Sequence, residues 1–137
     1  MLELTVITVE NTIYHGMITA LTAPTVTGEV GILRGHRPMV AKLDIGALRI
    51  TEQDQTEKLI FVAGGFLEIS RDKISVLADM AENMESIGLE QATAARVKAQ
   101  EMLKDAADAS TSEKLQEELR IMALREKLAQ VAAYKKH

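Results

Sequence analysis

Apolar and β-branched residues fill short runs in the first half of the chain. In the first run both alternating sets of positions are apolar or β-branched, which predicts a strand covered on two faces. Turn-forming clusters, among them Gly64-Gly65, separate the runs at a spacing of about ten residues, and this favours an all-β sandwich or barrel over βαβ units. The predicted strands are residues 4–9, 13–21, 29–33, 47–51, 58–63, 66–70 and 73–77.

The second half of the chain has small and apolar residues at helical spacing. Ala92, Ala95 and Ala99 begin a narrow stripe of small side chains, which allows another helix to approach closely. Ser110 and Glu113 match a capping box, in which two side chains satisfy free N–H groups at a helix start. The pattern predicts helices at about 88–107 and 112–134, and the short link between them favours an antiparallel hairpin.

The second predicted helix has two apolar stripes on nearly opposite sides. They contain Leu115, Leu119, Met122 and Ala133 on one side and Ile121, Leu124, Leu128 and Val131 on the other. A hairpin needs one such stripe, so two stripes imply two packing surfaces. Two interpretations remain open: the helix packs between two neighbours at once, or it packs differently in two states.

A change of composition divides the chain into two parts. Seven of the eight glycines and both prolines precede residue 66, whereas twelve of the eighteen alanines follow residue 80. We therefore expect an α+β chain, with a mainly β domain at 1–84 and a helical hairpin at 85–137.

Composition also excludes several classes of function. The chain has no cysteine, and its three histidines lack metal-ligand spacing, so neither thiol chemistry nor a metal site is expected. A net charge of −4 argues against binding to nucleic acid. Neither a nucleophile elbow nor a phosphate-binding glycine loop is present, so no catalytic site is predicted. No apolar run reaches the roughly 18 residues of a spanning helix, and membrane association is expected only through partners.

Residues 28–38, Gly-Glu-Val-Gly-Ile-Leu-Arg-Gly-His-Arg-Pro, form the most distinctive stretch. Its glycines and charged side chains follow a predicted strand, which indicates a tight polar loop. The loop is either a hairpin with suitable turn residues or a contact surface, because loops on a rigid sandwich commonly carry recognition.

Four blocks, in order along the chain, resemble the epsilon subunits of F-type ATP synthase. Residues 28–38 resemble the family's Gly-Glu/Gln-Leu-Gly-Ile-x-x-x-His-x-Pro block. Residues 44–50, Asp-Ile-Gly-Ala-Leu-Arg-Ile, are similar to its Gly-x-(Leu/Ile)-Arg-(Ile/Val) segment. Residues 61–68, Phe-Val-Ala-Gly-Gly-Phe-Leu-Glu, contain its double-glycine block, and residues 74–79, Ile-Ser-Val-Leu-Ala-Asp, resemble the block that closes its sandwich.

The resemblance implies a flattened antiparallel β-sandwich of about ten short strands, followed by the helical hairpin. It implies a non-catalytic rotor subunit of the central stalk, which binds the gamma subunit and the c-ring and so couples ion-driven rotation to ATP synthesis. Its implied location is peripheral, on the cytoplasmic side of a bacterial plasma membrane or the equivalent face of a thylakoid membrane. The alternative is a stand-alone β-sandwich interaction module with a helical arm.

Two contact surfaces follow from the resemblance. The family turns the loop with Glu29 and His36 toward the c-ring, and Arg34 and Arg37 are neighbours that can pair with acidic residues there. The family's hairpin either folds against the sandwich or extends into the alpha/beta catalytic hexamer, where it hinders ATP hydrolysis. Its basic end, expected to contact the catalytic subunits, contains Arg120, Arg125, Lys127, Lys135 and Lys136.

One motif of the family is degenerate in this sequence. Some bacterial members bind ATP through Ile/Leu-Asp-x-x-Arg-Ala, and residues 87–92 keep the ends of that motif but have glycine and glutamine in place of its charged residues. The remaining candidate contacts are Glu82, Arg96 and Lys98. Because two charged contacts are lost, we expect weak ATP binding or none, and no cofactor. The motif positions are Ile87, Gly88, Gln91 and Ala92.

Overall fold

The computed structural model describes residues 1–84, 88–106 and 109–135. The chain divides into two compact units, Met1–Met84 and Glu85–His137. The first unit consists of strands and the second of two helices. The expected fold class, a β-sandwich followed by two helices, is confirmed.

Seven strands form within residues 1–84. They are β1 (Leu2–Ile7), β2 (Thr12–Thr25), β3 (Gly28–Leu33), β4 (Met39–Lys42), β5 (Gly46–Glu52), β6 (Glu57–Ser70) and β7 (Lys73–Asn83). Their order is β1-β7-β6-β5-β2-β3, with β4 beside β6, and β1 also pairs with β2. The sheet therefore closes on itself, and β3 is left as an edge strand. All pairs are antiparallel except β1 with β7, which run parallel.

The strands are fewer and longer than the expected ten, because long strands change partners along their length. β2 pairs with β1 through its first half and with β3 and β5 through its second half. β6 pairs first with β5 and then with β4, while β7 follows it along most of its length. β6 is thus one continuous strand that takes part in both layers of the sandwich, whereas the sequence predicts two short strands, 58–63 and 66–70.

The turn predicted at Gly64-Gly65 is wrong, because both glycines lie inside β6. Their φ angles are +78° and +115°, a region that other residues rarely adopt. A Cβ atom on Gly65 would lie 2.1 Å from the carbonyl oxygen of Leu77 on the neighbouring strand. The two glycines let the backbone bend while the pairing of β6 with β7 continues in the same register.

Two further strand predictions differ from the structure. β4 was not predicted, because four residues after Pro38 are too few to show an alternating pattern. β1 runs from Leu2 to Ile7 and buries one face only, although its sequence predicts cover on both. The second face of the sheet is consequently more exposed than the apolar pattern indicates.

The core fills the space enclosed by the strands. Alternate residues of β1, of β7 and of the second half of β6 are buried, as the two-residue period of a strand requires. Each fully buried aliphatic side chain stabilises the fold by roughly 1.5–3 kcal/mol relative to exposure. The largest members of this cluster are Leu2, Leu4, Ile18, Leu21, Ile32, Leu43, Leu48, Ile50, Ile60, Leu67, Ile69 and Ile74.

The hairpin consists of α1 (Leu89–Lys104) and α2 (Ala109–Lys135). The buried residues of α1 are Ala92 and Ala99, and Ala129 is buried on α2, in agreement with a close approach of small side chains. Gly88 is the N-cap of α1 in an extended conformation. α2 begins at Ala109, so Ser110 lies inside the helix and not at the predicted N-cap position.

The two apolar stripes of α2 are partly covered. Leu115, Leu119, Met122 and Ala133 are half-buried, and so are Ile121, Leu124 and Leu128 of the opposite stripe, whereas Val131 is exposed. Both interpretations of this helix stay predictions.

Candidate functional site

The polar loop of the sequence lies along the edge strand β3 and the turn that follows it. Glu29 is exposed near the beginning of β3, and Arg34, His36 and Arg37 follow its end. Arg34 follows Glu29 by five positions, or at most about 17 Å of extended chain. The four predicted ring-contact residues therefore form a strip along one edge and not a single cluster.

Local hydrogen bonds hold both ends of this strip. At the start, the hydroxyl of buried Thr25 donates to the carbonyl oxygen of Gly28 at 2.6 Å and accepts from the N–H of Thr27 at 3.3 Å. At the end, the N–H of His36 donates to the carbonyl oxygen of Leu33 at 3.1 Å and closes a turn. Gly35 takes a φ of +88° in that turn, which suits glycine.

The ring of His36 is oriented by the backbone of the next residue, Arg37. Its Nδ1 atom lies 2.8 Å from the carbonyl oxygen of Arg37, and since a carbonyl only accepts, Nδ1–H is the donor. Nε2 is thus the ring nitrogen left for a partner. Two exposed apolar residues, Val26 and Leu33, flank the strip and were not predicted as part of it. Their signal in the sequence is weak, because single exposed apolar residues are common.

The predicted basic end of the hairpin is only partly described. Arg120 and Lys127 are exposed, seven residues apart, and therefore lie on the same side of α2. Arg120 pairs with Glu117 of the same helix at 3.8 Å. Arg125 is half-buried and lies about 140° around the helix from Arg120. The side chain of Lys135 and the whole of Lys136 lie outside the described residues.

The described residues of the degenerate nucleotide motif lie at the start of α1, and the other candidate contacts belong to α1 and to β7. Gly88 caps α1, Ala92 is buried, and Gln91 and Lys98 are exposed. Ile87 lies outside the described residues. Glu82 belongs to β7 in the other unit, where it stands opposite Phe61.

Arg96, one of the remaining candidate contacts for ATP, is paired with α2. Its Nε–H lies 3.0 Å from both carboxylate oxygens of Glu126. This hydrogen bond lowers the pKa of the Glu126 carboxyl, and a hydrogen bond from Thr93 acts in the same direction, against the effect of desolvation. The guanidinium that remained as a phosphate contact is therefore already paired with a carboxylate.

The structure contains an apolar surface that the sequence did not predict. On the outer face of the sheet, Ile7 of β1 pairs with Leu77 of β7, which pairs with Phe66 of β6. Val40 of β4 lies beside them, and these four residues, the apolar face, are between 37% and 69% exposed. With Thr5, Glu68 and Ser75 they line a cleft of about 220 Å³. The signal was the alternation within 66–70 and 73–77, which places Phe66 and Leu77 opposite the buried positions.

A second polar group joins three strands. The hydroxyl of Tyr14 on β2 donates to Glu52 on β5 at 2.7 Å, and Lys58 on β6 lies 3.7 Å from the same carboxylate. Burial raises the pKa of Tyr14, and the hydrogen bond and charge of Glu52 raise it further. The arrangement keeps the tyrosine protonated, which suits a structural tie between strands and not a nucleophile.

The described residues hold no group of three or more histidine, aspartate or glutamate side chains that could bind a metal. None of the helices in this part of the chain is long and apolar enough to span a membrane.

The chain thus combines a closed β-sandwich, which has an exposed apolar face and a polar edge strand, with a helical hairpin. Residues 1–84 match the family model of the ATP synthase delta/epsilon chain, β-sandwich domain. Over 132 residues the chain is 36% identical to the ATP synthase epsilon chain of Polaromonas naphthalenivorans, covering 96% of this chain and 92% of that relative. It is 45% identical over 105 residues to the epsilon chain of Symbiobacterium thermophilum, covering 76% and 75%.

The chain therefore belongs to the epsilon chain family of ATP synthase, a family of non-catalytic subunits. Its connection with ion transport and with a membrane follows from that complex. The fold is also similar to a chain in the cryo-EM structure of the Euglena gracilis mitochondrial ATP synthase, OSCP/F1/c-ring. That similarity has a TM-score of 0.78 at 22% identity and covers 93% of this chain and 80% of the other.

Proposed function

We propose that the chain is a central-stalk rotor subunit that binds the gamma subunit through the apolar face. The observation that carries this proposal is the row of Ile7, Leu77 and Phe66 across three strands of a closed sheet, with Val40 beside it. Scattered single apolar residues are ordinary on a protein surface, whereas a contiguous patch in a shallow cleft is typical of a protein interface. An aromatic ring at its centre is the kind of residue that dominates binding energy.

The edge strand β3 is the proposed contact with the c-ring. Glu29, Arg34, His36 and Arg37 are held by short turns, so their polar groups are presented from a rigid backbone. An exposed edge also has unpaired backbone N–H and C=O groups, which a partner can satisfy. Chains of similar fold occur in an ATP synthase complex with a c-ring from Euglena gracilis and in a central stalk with a c-ring from Tetrahymena thermophila, which supports a place near a c-ring.

The hairpin is the proposed inhibitor of ATP hydrolysis, through contacts of its cations with the alpha/beta hexamer. Arg120 and Lys127 share one side of α2, while Arg125 faces elsewhere, so the basic end presents charge on more than one side. ATP is not a resident ligand in this proposal, because Arg96 is paired with Glu126. In a cell the protein would lie at the cytoplasmic side of a plasma membrane, or at the equivalent thylakoid face, as part of the complex.

Binding to purified gamma subunit tests the apolar face. We expect Phe66→Asp to weaken binding about 30-fold or more, because a charge replaces a central aromatic anchor. Val26→Asp is the matched control, since Val26 is 56% exposed and Phe66 is 55% exposed, but Val26 lies outside the apolar face. If both variants bound gamma with the affinity of the wild type, the apolar face would not be the surface that contacts gamma. Absence of any binding by the wild type would favour the alternative, a stand-alone interaction module.

A further inference from the structure

A single carboxylate lies within the apolar face. Glu68 of β6 stands opposite Val40 of β4 on one side and Ser75 of β7 on the other. Its neighbour two residues back on the same face is Phe66, and it lines the same cleft. Glu68 is exposed, as are Val40 and Phe66.

Glu68 has no ion pair with any described residue of the chain. The nearest cations on its face are Lys42 of β4 and Lys73 of β7, each two residues from the position directly opposite. Diagonal neighbours of this kind have Cα atoms about 7–8 Å apart, within reach of a long side chain. The ion pairs of the described residues nevertheless do not include either combination.

A partner that covers the apolar face must also cover Glu68. A carboxylate that loses water without gaining a charged partner is unfavourable. The hydroxyls of Thr5 and Ser75 line the same cleft but carry no charge, and neither Lys42 nor Lys73 is paired with Glu68. A cation on the covering surface is the partner that satisfies the carboxylate best.

We propose that the segment of the partner seated on the apolar face presents a basic side chain, most suitably arginine, to Glu68. This inference rests on the proposed function, in which the partner is gamma. Arginine fits because its guanidinium binds both oxygens of a carboxylate and is weakly hydrated, so it tolerates an apolar surrounding. The apolar residues then supply most of the affinity, and Glu68 fixes the register of the partner and excludes surfaces that lack the cation.

The test is the affinity of gamma for Glu68→Gln, measured by calorimetry at low and at high ionic strength. Glutamine keeps the shape of the side chain and removes its charge. We expect binding to weaken about 10-fold or more and its salt dependence to decrease. Asp72→Asn is the matched control, because Asp72 is also exposed but lies in the turn between β6 and β7, and we expect less than about a twofold effect.

Three outcomes are distinguishable. If Glu68→Gln weakens binding, Asp72→Asn does not, and the urea midpoint of Glu68→Gln equals that of the wild type, the inference holds. If Phe66→Asp abolishes binding and Glu68→Gln binds with unchanged affinity and salt dependence, the inference is overturned and the proposed function stands. If the wild type does not bind gamma at all, the proposed function fails and the inference falls with it.

Discussion

Single glycines decide where the sandwich can bend. From sequence alone, Gly64 and Gly65 predict a turn, because paired glycines interrupt a strand pattern. The structure uses them at positive φ within an uninterrupted strand. At Gly65 the backbone of β7 lies close enough to exclude a side chain, and at Gly64 the carboxylate of Asp79 occupies that space. The residue type was informative, but the closeness of a strand distant in sequence was not visible to a local pattern.

Substitution Gly65→Ala tests this constraint. The added Cβ atom would meet the carbonyl oxygen of Leu77 and would hold an unfavourable φ, so we expect a loss of about 2–4 kcal/mol in the free energy of unfolding. Gly31→Ala is the control, because a Cβ atom there has no neighbour within 4 Å and φ is ordinary. Urea denaturation measures both, and equal midpoints for the two variants would contradict the steric argument.

Tyr14 provides a test at alkaline pH. Folding raises the pKa of its hydroxyl, so its contribution to stability is complete below the ordinary tyrosine pKa of about 10 and declines as the pH rises above it. We expect Tyr14→Phe to cost about 1 kcal/mol near neutral pH, through loss of the bond to Glu52. Above about pH 10 the difference in the free energy of unfolding between Tyr14→Phe and the wild type should become smaller. Urea midpoints at neutral and alkaline pH measure it, and a constant gap would show that Tyr14 does not titrate with unfolding.

Among the elements, α1 and α2 approach closely at alanine side chains, and the ion pair of Arg96 with Glu126 links the two helices. Ala92, Ala99 and Ala129 bury little apolar area, whereas Arg96 and Glu126 join the helices with two short contacts. The sequence predicted the alanine stripe and the hairpin from helical spacing. It did not predict the ion pair, because partners 30 residues apart are set by the register of two helices.

We expect Glu126→Gln to lower hydrogen-exchange protection along both helices. Glu117→Gln is the matched control, since Glu117 also pairs with an arginine but within its own helix and in solvent. Because folding lowers the pKa of Glu126, its contribution is present above the ordinary glutamate pKa and is lost as the pH falls through the folded-state value. Protection in the wild type should therefore decrease on acidification, and protection in Glu126→Gln should depend less on pH. If protection depended on pH in the same way in the wild type and in Glu126→Gln, the ion pair would not be what holds the two helices together.

At the scale of the whole molecule, the boundary between the two structural units follows the change in composition. The glycine-rich, β-branched half forms the closed sandwich, and the alanine-rich half forms the hairpin. Regular periodicity made both units predictable from the sequence. The contact surfaces were harder to predict. The residues of the polar strip on β3 are close together in sequence and were predicted, whereas the apolar face combines residues of β1, β4, β6 and β7 and was not. Apolar residues on an outer face look the same in sequence as those of a core.

Removal of residues 85–137 from the assembled ATP synthase separates the roles of the two units. The apolar face, the β3 strip and the core cluster all lie within residues 1–84, so we expect the truncated chain to remain in the complex.

If α2 contacts the catalytic hexamer, ATP hydrolysis should rise on truncation. The double variant Arg120→Gln with Lys127→Gln should also raise hydrolysis, but by less. The combined loss of two cations weakens an interaction that salt also screens, so the hydrolysis of the wild type should approach that of the double variant at high ionic strength. Unchanged hydrolysis by a complex that retains the truncated chain would contradict inhibition by the hairpin, and loss of the chain from the complex would show that the hairpin is needed for assembly.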